Sequence, residues 1–298
     1  MKFSVVVPLY NKAYSIHRCI DSVLSQIDSN FEIIIIDDGS TDSSVNIVCT
    51  YFDSQIESGL IQIIKQENQG VSVARNKGVK LSSSNFICFL DADDEWKPDF
   101  LKNINKLIES YPEAGLFCLQ HETMLNGKCV RNKSLYKKGY FGLVDNFFKR
   151  SLLGSLANSS KVCIRKNVIE EIGGFPVGQI SGEDLFVWIK ISSTYPVVFF
   201  NKVSTRINMV SDLSRKGRGM SIPYPITYYS NPVHNKELTF WVELYLYKIY
   251  IVHLIESTRH LHYKELVTRL EAGKALFPIT TFVLKCLSFA LKFINRRE

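Results

Sequence analysis

The chain has 298 residues, 46% of them hydrophobic and 22% charged, with a formal net charge of +7. That length suits one large domain or a domain with an appendage, and the balance excludes wholesale disorder. Seven scattered cysteines with no C-x-x-C pair exclude a disulfide framework and a structural zinc site, and suit reduced thiols in a cytoplasmic setting.

The opening FSVVVP (3–8) is short and β-branched, and reads as a first strand rather than a secretory signal. Asn11 is a good helix N-cap, and Ile16, Cys19, Ile20, Val23, Leu24 and Ile27 keep the spacing of an amphipathic helix. FEIIII (31–36) is a second strand, after which Ser40–Thr41 caps a helix through Val45, Val48 and Phe52. IQII (61–64), FICFL (86–90), GLFCL (115–119), VCI (162–164) and VVFF (197–200) predict further strands. A helix over Phe100–Ile108 turns Ile104, Leu107 and Ile108 inward. Fully apolar strands alternating with helices imply an α/β fold with a mostly parallel sheet covered on both faces. Ligands of such sheets sit beyond the carboxyl ends of the strands.

From about Lys216 the chain changes to a Gly-, Pro- and Tyr-rich connection and then a helical, aromatic region. We place a boundary near 222, giving a domain over 1–222 and a basic helical extension over 223–298. The aromatic run from Trp241 to Tyr250 reads as helix packing. From Arg259 to Glu298 there are eight Lys/Arg against three Glu. Lys285, Lys292 and Pro278 make the last stretch a poor spanning helix. It reads either as an amphipathic helix in the interface of an anionic membrane, towards which the terminal Asn-Arg-Arg leans, or as a helix docked on the protein's own core.

Two apolar runs end in carboxylates, IIIIDD at Asp37–Asp38 and FLDADD at Asp91, Asp93 and Asp94. Three carboxylates in four positions raise one another's pKa unless compensated, and a divalent cation would compensate them. Oxygen-only ligands favour Mg²⁺ or Mn²⁺ over zinc, so D-x-D at a strand end is a candidate diphosphate–metal site. An aspartate capping the following helix is the plainer alternative. No G-x-G-x-x-G follows the first strand and no G-x-x-x-x-G-K-[ST] is present, which disfavours a dinucleotide site and a P-loop. Arg75 and Asn76 stand just ahead of the D-x-D strand, within reach of phosphate or carboxylate. Glu183–Asp184, after a Gly-rich turn, open a helical pattern, either as a cap or as functional carboxylates.

In this order and spacing, VVVPLYNK, IIIIDDGSTD, NQGVSVARNKG, FLDADDEW and GEDLFVW resemble the family 2 glycosyltransferases of the GT-A fold, over roughly residues 1–215. Each motif is short; the joint pattern is specific. The resemblance implies that Pro8 and Tyr10 line a nucleoside pocket and that Asp38 accepts a hydrogen bond from the base. Asp37 would fix the loop or cap the next helix. Arg75 and Ala92 would lie against the nucleotide sugar. Asp91 would face ribose and metal, Asp93 would be the principal ligand of Mn²⁺ or Mg²⁺, and Asp184 would be the general base.

The implied reaction is direct, inverting transfer of one sugar from a nucleotide sugar, UDP-linked, to a hydroxyl of a glycan or lipid-linked saccharide. Cell-surface polysaccharide synthesis at the inner face of the cell membrane would suit it. Nucleic acid is not an expected partner. The Q-x-x-R-W motif of processive members is absent, which implies single addition rather than polymerisation. Asn208 stands where relatives often have a histidine two residues after Arg206, which puts in question whether Arg206 and the 204–217 loop close over the diphosphate. His121, past a strand end, reads as an ordinary surface histidine, with contact to the donor sugar as the alternative. A haloacid-dehalogenase-like phosphatase lacks its threonine here, and a sugar nucleotidyltransferase lacks its N-terminal Gly-rich arginine signature. A non-catalytic nucleotide-sugar-binding partner of another transferase is the remaining alternative.

Overall fold

The computed structural model describes residues 2–125, 127–131, 134–209, 221–236, 238–258 and 270–278. Its contacts divide it into two compact units, Met1–Gly178 with Val187–Val210, and Gln179–Phe186 with Ser211–Glu298.

The first unit is built on one mixed sheet. In chain order its strands are β1 (Phe3–Leu9), β2 (Phe31–Asp37), β3 (Ile61–Lys65), β4 (Phe86–Phe89), β5 (Glu95–Trp96), β6 (Leu116–Leu125), β7 (Lys128–Arg131), β8 (Phe141–Leu143), β9 (Val162–Arg165) and β10 (Val197–Met209). They lie in the order β3-β2-β1-β4-β9-β6-β10-β5, with β7 on β6 and β8 on β10. The pairs β3–β2, β2–β1, β1–β4 and β6–β10 are parallel, whereas β9 runs antiparallel to both β4 and β6.

The four isoleucines of β2 explain why a strand can be wholly apolar. Side chains alternate between sheet faces. Ile33 and Ile35 join a core with Val5, Val7, Ile20 and Ile104 on one face, while Ile34 and Ile36 pack with Ala74 on the other. Helices α1 (Ile16–Leu24), α2 (Ser44–Tyr51), the short α3 (Asp53–Glu57), α4 (Val71–Leu81) and α5 (Phe100–Ser110) connect these strands. Helix α4 lies tight on β1: a Cβ added at Gly78 would stand 2.2 Å from a Val6 methyl. That contact fixes the height of every side chain on the helix above the sheet.

Several local expectations change. Asn11 caps nothing; it holds φ 50°, a left-handed conformation that asparagine tolerates better than most residues. Helix α1 starts later, at Ile16, with Ser15 before it. Neither Ser40 nor Thr41 caps α2, which starts at Ser44 behind Ser43. Strands β6 and β10 run to Leu125 and Met209, well past their apolar halves. Polar residues occupy those extensions, so a search for apolar runs stops short of them.

The second unit holds helices Tyr224–Tyr229 and Phe240–Thr258, the first of them inside the stretch expected to be irregular. Leu246 and Tyr250 are buried, and Tyr250 donates its hydroxyl to the Leu270 carbonyl at 3.0 Å while stacking on Phe277. The aromatic run is thus packing within the unit. No described helix is long and apolar enough to cross a membrane. The basic end from 279 onwards lies outside the described residues.

Candidate active site

Because β2, β1 and β4 are adjacent and parallel, their carboxyl ends share one edge, and both aspartate clusters emerge there. Pro8 is the penultimate residue of β1, opposite Ile36, and Tyr10 follows the strand with 41% of its surface exposed. The next residues are clasped to the loop after β2. Asn11 Oδ1 accepts from the Thr41 and Asp42 amides at 2.8 and 3.3 Å. The Lys12 amide donates to Ser44 Oγ at 2.8 Å and the Ala13 amide to Asp42 Oδ2 at 3.0 Å. The two loops are thereby made one body.

The two members of the first aspartate pair do different work. Asp37 Oδ1 accepts from the Ser40 amide at 3.1 Å and so fixes the turn. Buried Asp38 accepts from Gln66 Nε2, the Gln69 amide and the Gly70 amide, each at 2.8 Å. Gly70 holds φ 92° immediately before α4, a conformation glycine adopts without strain. Asp38 thus ties the start of α4 to the end of β2.

The second cluster is balanced by cations and hydroxyls. Arg75, on α4 and only 3% exposed, brings Nη2 to 2.8 Å from Asp91 Oδ1, with its guanidinium 5.2 Å over the Phe175 ring. Lys12 Nζ lies 3.0 Å from Asp93 Oδ2. Arg18 Nε lies 3.2 Å from Glu95 Oε1. Asp94 is handled differently. Its carboxylate accepts from Ser160 Oγ at 2.6 Å and from the Asn208 amide at 2.9 Å. Burial first, and then the charges of Asp91 and Asp93, push the Asp94 carboxyl well above the usual range. Ser160 Oγ also accepts from the Asp91 amide at 3.2 Å, and its carbonyl accepts from Trp96 Nε1 at 2.7 Å. Ala92 is buried between the two charged residues.

Pro8, Tyr10, Asp38, Arg75, Asp91, Ala92 and Asp93 therefore all lie on the rim formed by β1, β2, α4 and β4 in the first unit. Asp184 lies in the second. It is the second residue of helix α8 (Glu183–Thr194), which follows the short α6 (Phe147–Arg150) and α7 (Lys166–Glu171) in the chain. One of its oxygens accepts from the Leu185 amide at 2.7 Å, while Glu183 beside it is buried. Within that unit its charge helps burial raise the Tyr245 hydroxyl well above the ordinary value.

Three residues outside the motifs' expected roles shape this rim. Lys12 lies within the YNK that follows β1, and that motif by itself gives no sign of its pairing with Asp93. Ser160 carries no periodic or compositional signal, and only the fold brings it to Asp94. Asn208 donates Nδ2 to the Asp93 carbonyl at 2.8 Å and to Glu95 Oε1 at 3.1 Å, so it steadies the D-x-D turn. Arg206 pairs with Glu122 at 3.3 Å; the loop after it, 210–220, lies outside the described residues. His121 is not a surface histidine. It is 7% exposed, with Nδ1 3.0 Å from the fully buried Lys161 Nζ. Burial, and then the Lys161 charge, depress it to about 2.

A metal here would rest on Asp91 and Asp93. Their oxygens are hard donors suited to Mg²⁺ or Mn²⁺, which commonly take one or two carboxylates and complete their shell from substrate phosphate. Among the described residues no group of three or more His, Cys, Asp or Glu side chains could hold a metal by itself. The donor set fits a cation shared with a ligand, not one caged by protein alone.

Residues 4–159, just over half of the chain, match the family described as Glycosyl transferase family 2. The chain belongs to that family. This glycosyltransferase-family chain is 30% identical over 211 residues to the uncharacterized glycosyltransferase alr2836 of Nostoc, covering 69% of this chain and 62% of that one. The chain spans 15% of the length of the glycosyltransferase GlyA of Streptococcus pneumoniae and 62% of alr2836. Among solved structures, S. aureus TarS 1-349 in complex with UDP-GlcNAc superimposes with a TM-score of 0.74 at 19% identity, over 93% of this chain and 82% of that one. The mannosyltransferase PcManGT from Pyrobaculum calidifontis, in complex with GDP-Man and Mn²⁺, gives 0.62 at 16% identity, over 98% and 80%. Both likenesses concern the fold, which is GT-A.

Proposed function

We propose that the chain transfers a single sugar from a nucleotide sugar, UDP-linked, to a hydroxyl of a glycan or lipid-linked acceptor, with inversion and with the help of a divalent cation. The observation that carries this reading is the Asp91–Asp93 pair at the carboxyl edge of the parallel strands, beside Arg75 and Lys12. Solved neighbours of the same fold carrying UDP-GlcNAc, and GDP-Man with Mn²⁺, support it. The same boundary near 222 would separate this domain from an extension whose basic end meets an anionic membrane.

Each role follows from what the side chain has to offer. Tyr10 presents an exposed ring on which a base can stack. The Asp38 carboxylate has about four lone-pair sites, and described donors use three of them, which leaves one for a base N–H. Arg75, held flat by Asp91 and Phe175, presents a guanidinium to phosphate oxygen. When bound at Asp91 and Asp93, the cation would supply positive charge to the departing diphosphate. Asp184 takes the proton from the acceptor hydroxyl. The hydroxyl oxygen then forms its bond to the anomeric carbon as the bond to the diphosphate oxygen breaks and its electron pair leaves with the nucleotide.

The test is a thermal-shift panel of nucleotide sugars with and without Mn²⁺, on wild type and Asp93→Ala, since a ligand of the native state raises apparent stability. A Mn²⁺-dependent shift with one UDP-sugar, lost in Asp93→Ala, is expected. With that donor, Asp184→Asn should bind normally and lose transfer by roughly a hundredfold or more. Undiminished transfer by Asp184→Asn would assign the base to another residue, and donor binding by wild type without any transfer would return the non-catalytic binder to first place.

A further inference from the structure

The second aspartate cluster is already neutralised by the protein. Asp91 is paired by Arg75, Asp93 by Lys12 and Glu95 by Arg18. A divalent cation approaching Asp93 therefore meets an ammonium in its way. The two inner cations are not equivalent. Arg75 is almost wholly buried, planar and seated over Phe175. Lys12 carries its charge on a flexible four-carbon stem. Its backbone is pinned by Ser44, while its Nζ lies 3.0 Å from Asp93 Oδ2 and 3.2 Å from the Tyr14 hydroxyl. Lys12 can release Asp93 without moving the loop.

We infer that Lys12 is the resident counter-cation of Asp93 and surrenders that carboxylate to the divalent cation only when a nucleotide diphosphate is present to receive the ammonium. The inference rests on the metal reading proposed above. Two anions, Asp93 and the diphosphate, are then shared between two cations, so cation and nucleotide bind with positive coupling. Without nucleotide, Lys12 and the metal compete for one carboxylate. The lysine thus makes metal entry conditional on donor entry, and it neutralises one oxygen of the leaving group once there.

The experiment is a Mn²⁺ titration of the full chain, read by the EPR signal of free Mn²⁺, with and without UDP. The proteins are wild type, Lys12→Met, Lys12→Arg and Asp93→Asn. Wild type should bind Mn²⁺ weakly alone and roughly tenfold more tightly with UDP. Lys12→Met should bind Mn²⁺ alone roughly tenfold more tightly than wild type, with the enhancement by UDP reduced to match. Lys12→Arg keeps the charge and should retain the wild-type coupling. If Lys12→Met binds Mn²⁺ alone no better than wild type, while Asp93→Asn abolishes binding, the counter-cation role is wrong and the metal site stands. If wild type with UDP shows no Mn²⁺ binding that Asp93→Asn removes, the metal reading falls and takes this role with it.

Discussion

The two carboxylate clusters share a cue, an apolar strand running into aspartates, and share one edge of the sheet, yet they are held in opposite ways. Asp37 and Asp38 are met by neutral N–H donors that belong to the turns around them. Asp91 and Asp93 are met by the charged ends of Arg75 and Lys12. Neutral donors supplied by the surrounding turns make a carboxylate part of the scaffold. Cationic side chains make it exchangeable, because one cation can replace another. The first pair therefore carries order, with one Asp38 lone pair left for a base, and the second carries the chemistry of cations.

That contrast breaks first at Asp38. Asp38→Leu removes the acceptor for three described donors and should cost about 3 kcal/mol, since each buried donor left unsatisfied costs about 1–3 kcal/mol. Urea unfolding would register it; a loss near zero would mean that water or a rearranged loop satisfies those donors. Lys161 sharpens the comparison as a charge given only neutral company. It is wholly buried against His121 and the Ser155 carbonyl, and burial lowers its amine to about 7. The folded state then binds fewer protons than the unfolded chain between the folded value and the ordinary lysine value. Stability contributed by this group is reduced at and below pH 7 and rises with pH above it. Between pH 7 and 9 wild type should gain up to about 2 kcal/mol relative to Lys161→Met in urea unfolding. Equal pH slopes would show that the amine is charged in the native state. The smallest effect is expected at Asp93 itself. Asp93→Asn relieves repulsion within the cluster while stranding Lys12, whose stem can turn to water, so stability should change by less than about 1 kcal/mol. A larger loss would move Asp93 into the scaffold class with Asp38.

Much of this was legible in the sequence wherever a residue's role follows from its own neighbours. The strand cores are continuous apolar runs because both sheet faces are covered, as Ile33 to Ile36 demonstrate. The rim position of both aspartate clusters follows from strand direction alone. Roles set by residues distant in the chain were not legible. Asn11 looks like a helix cap, but a loop some thirty residues away offers its side chain better donors. Ser160 and Asn208 reach Asp94 only because β9, β6 and β10 lie side by side between β4 and β5. Burial of His121 depends on Lys161, forty residues on, and no local pattern announces a lysine that will be wholly enclosed.

The clasp between the loops after β1 and β2 bears on how this chain can diverge. Asn11, Lys12 and Ala13 are each joined to Thr41, Asp42 or Ser44, so neither loop has a length of its own. An insertion or deletion in one misaligns its partners in the other by a residue step, and with them Tyr10 and Lys12 together. Graftable units in this region are consequently pairs of loops: a donor pocket transplanted from a relative should carry both segments, and swaps of either alone should yield chimaeras that fold around β1 and β2 but present a disordered rim.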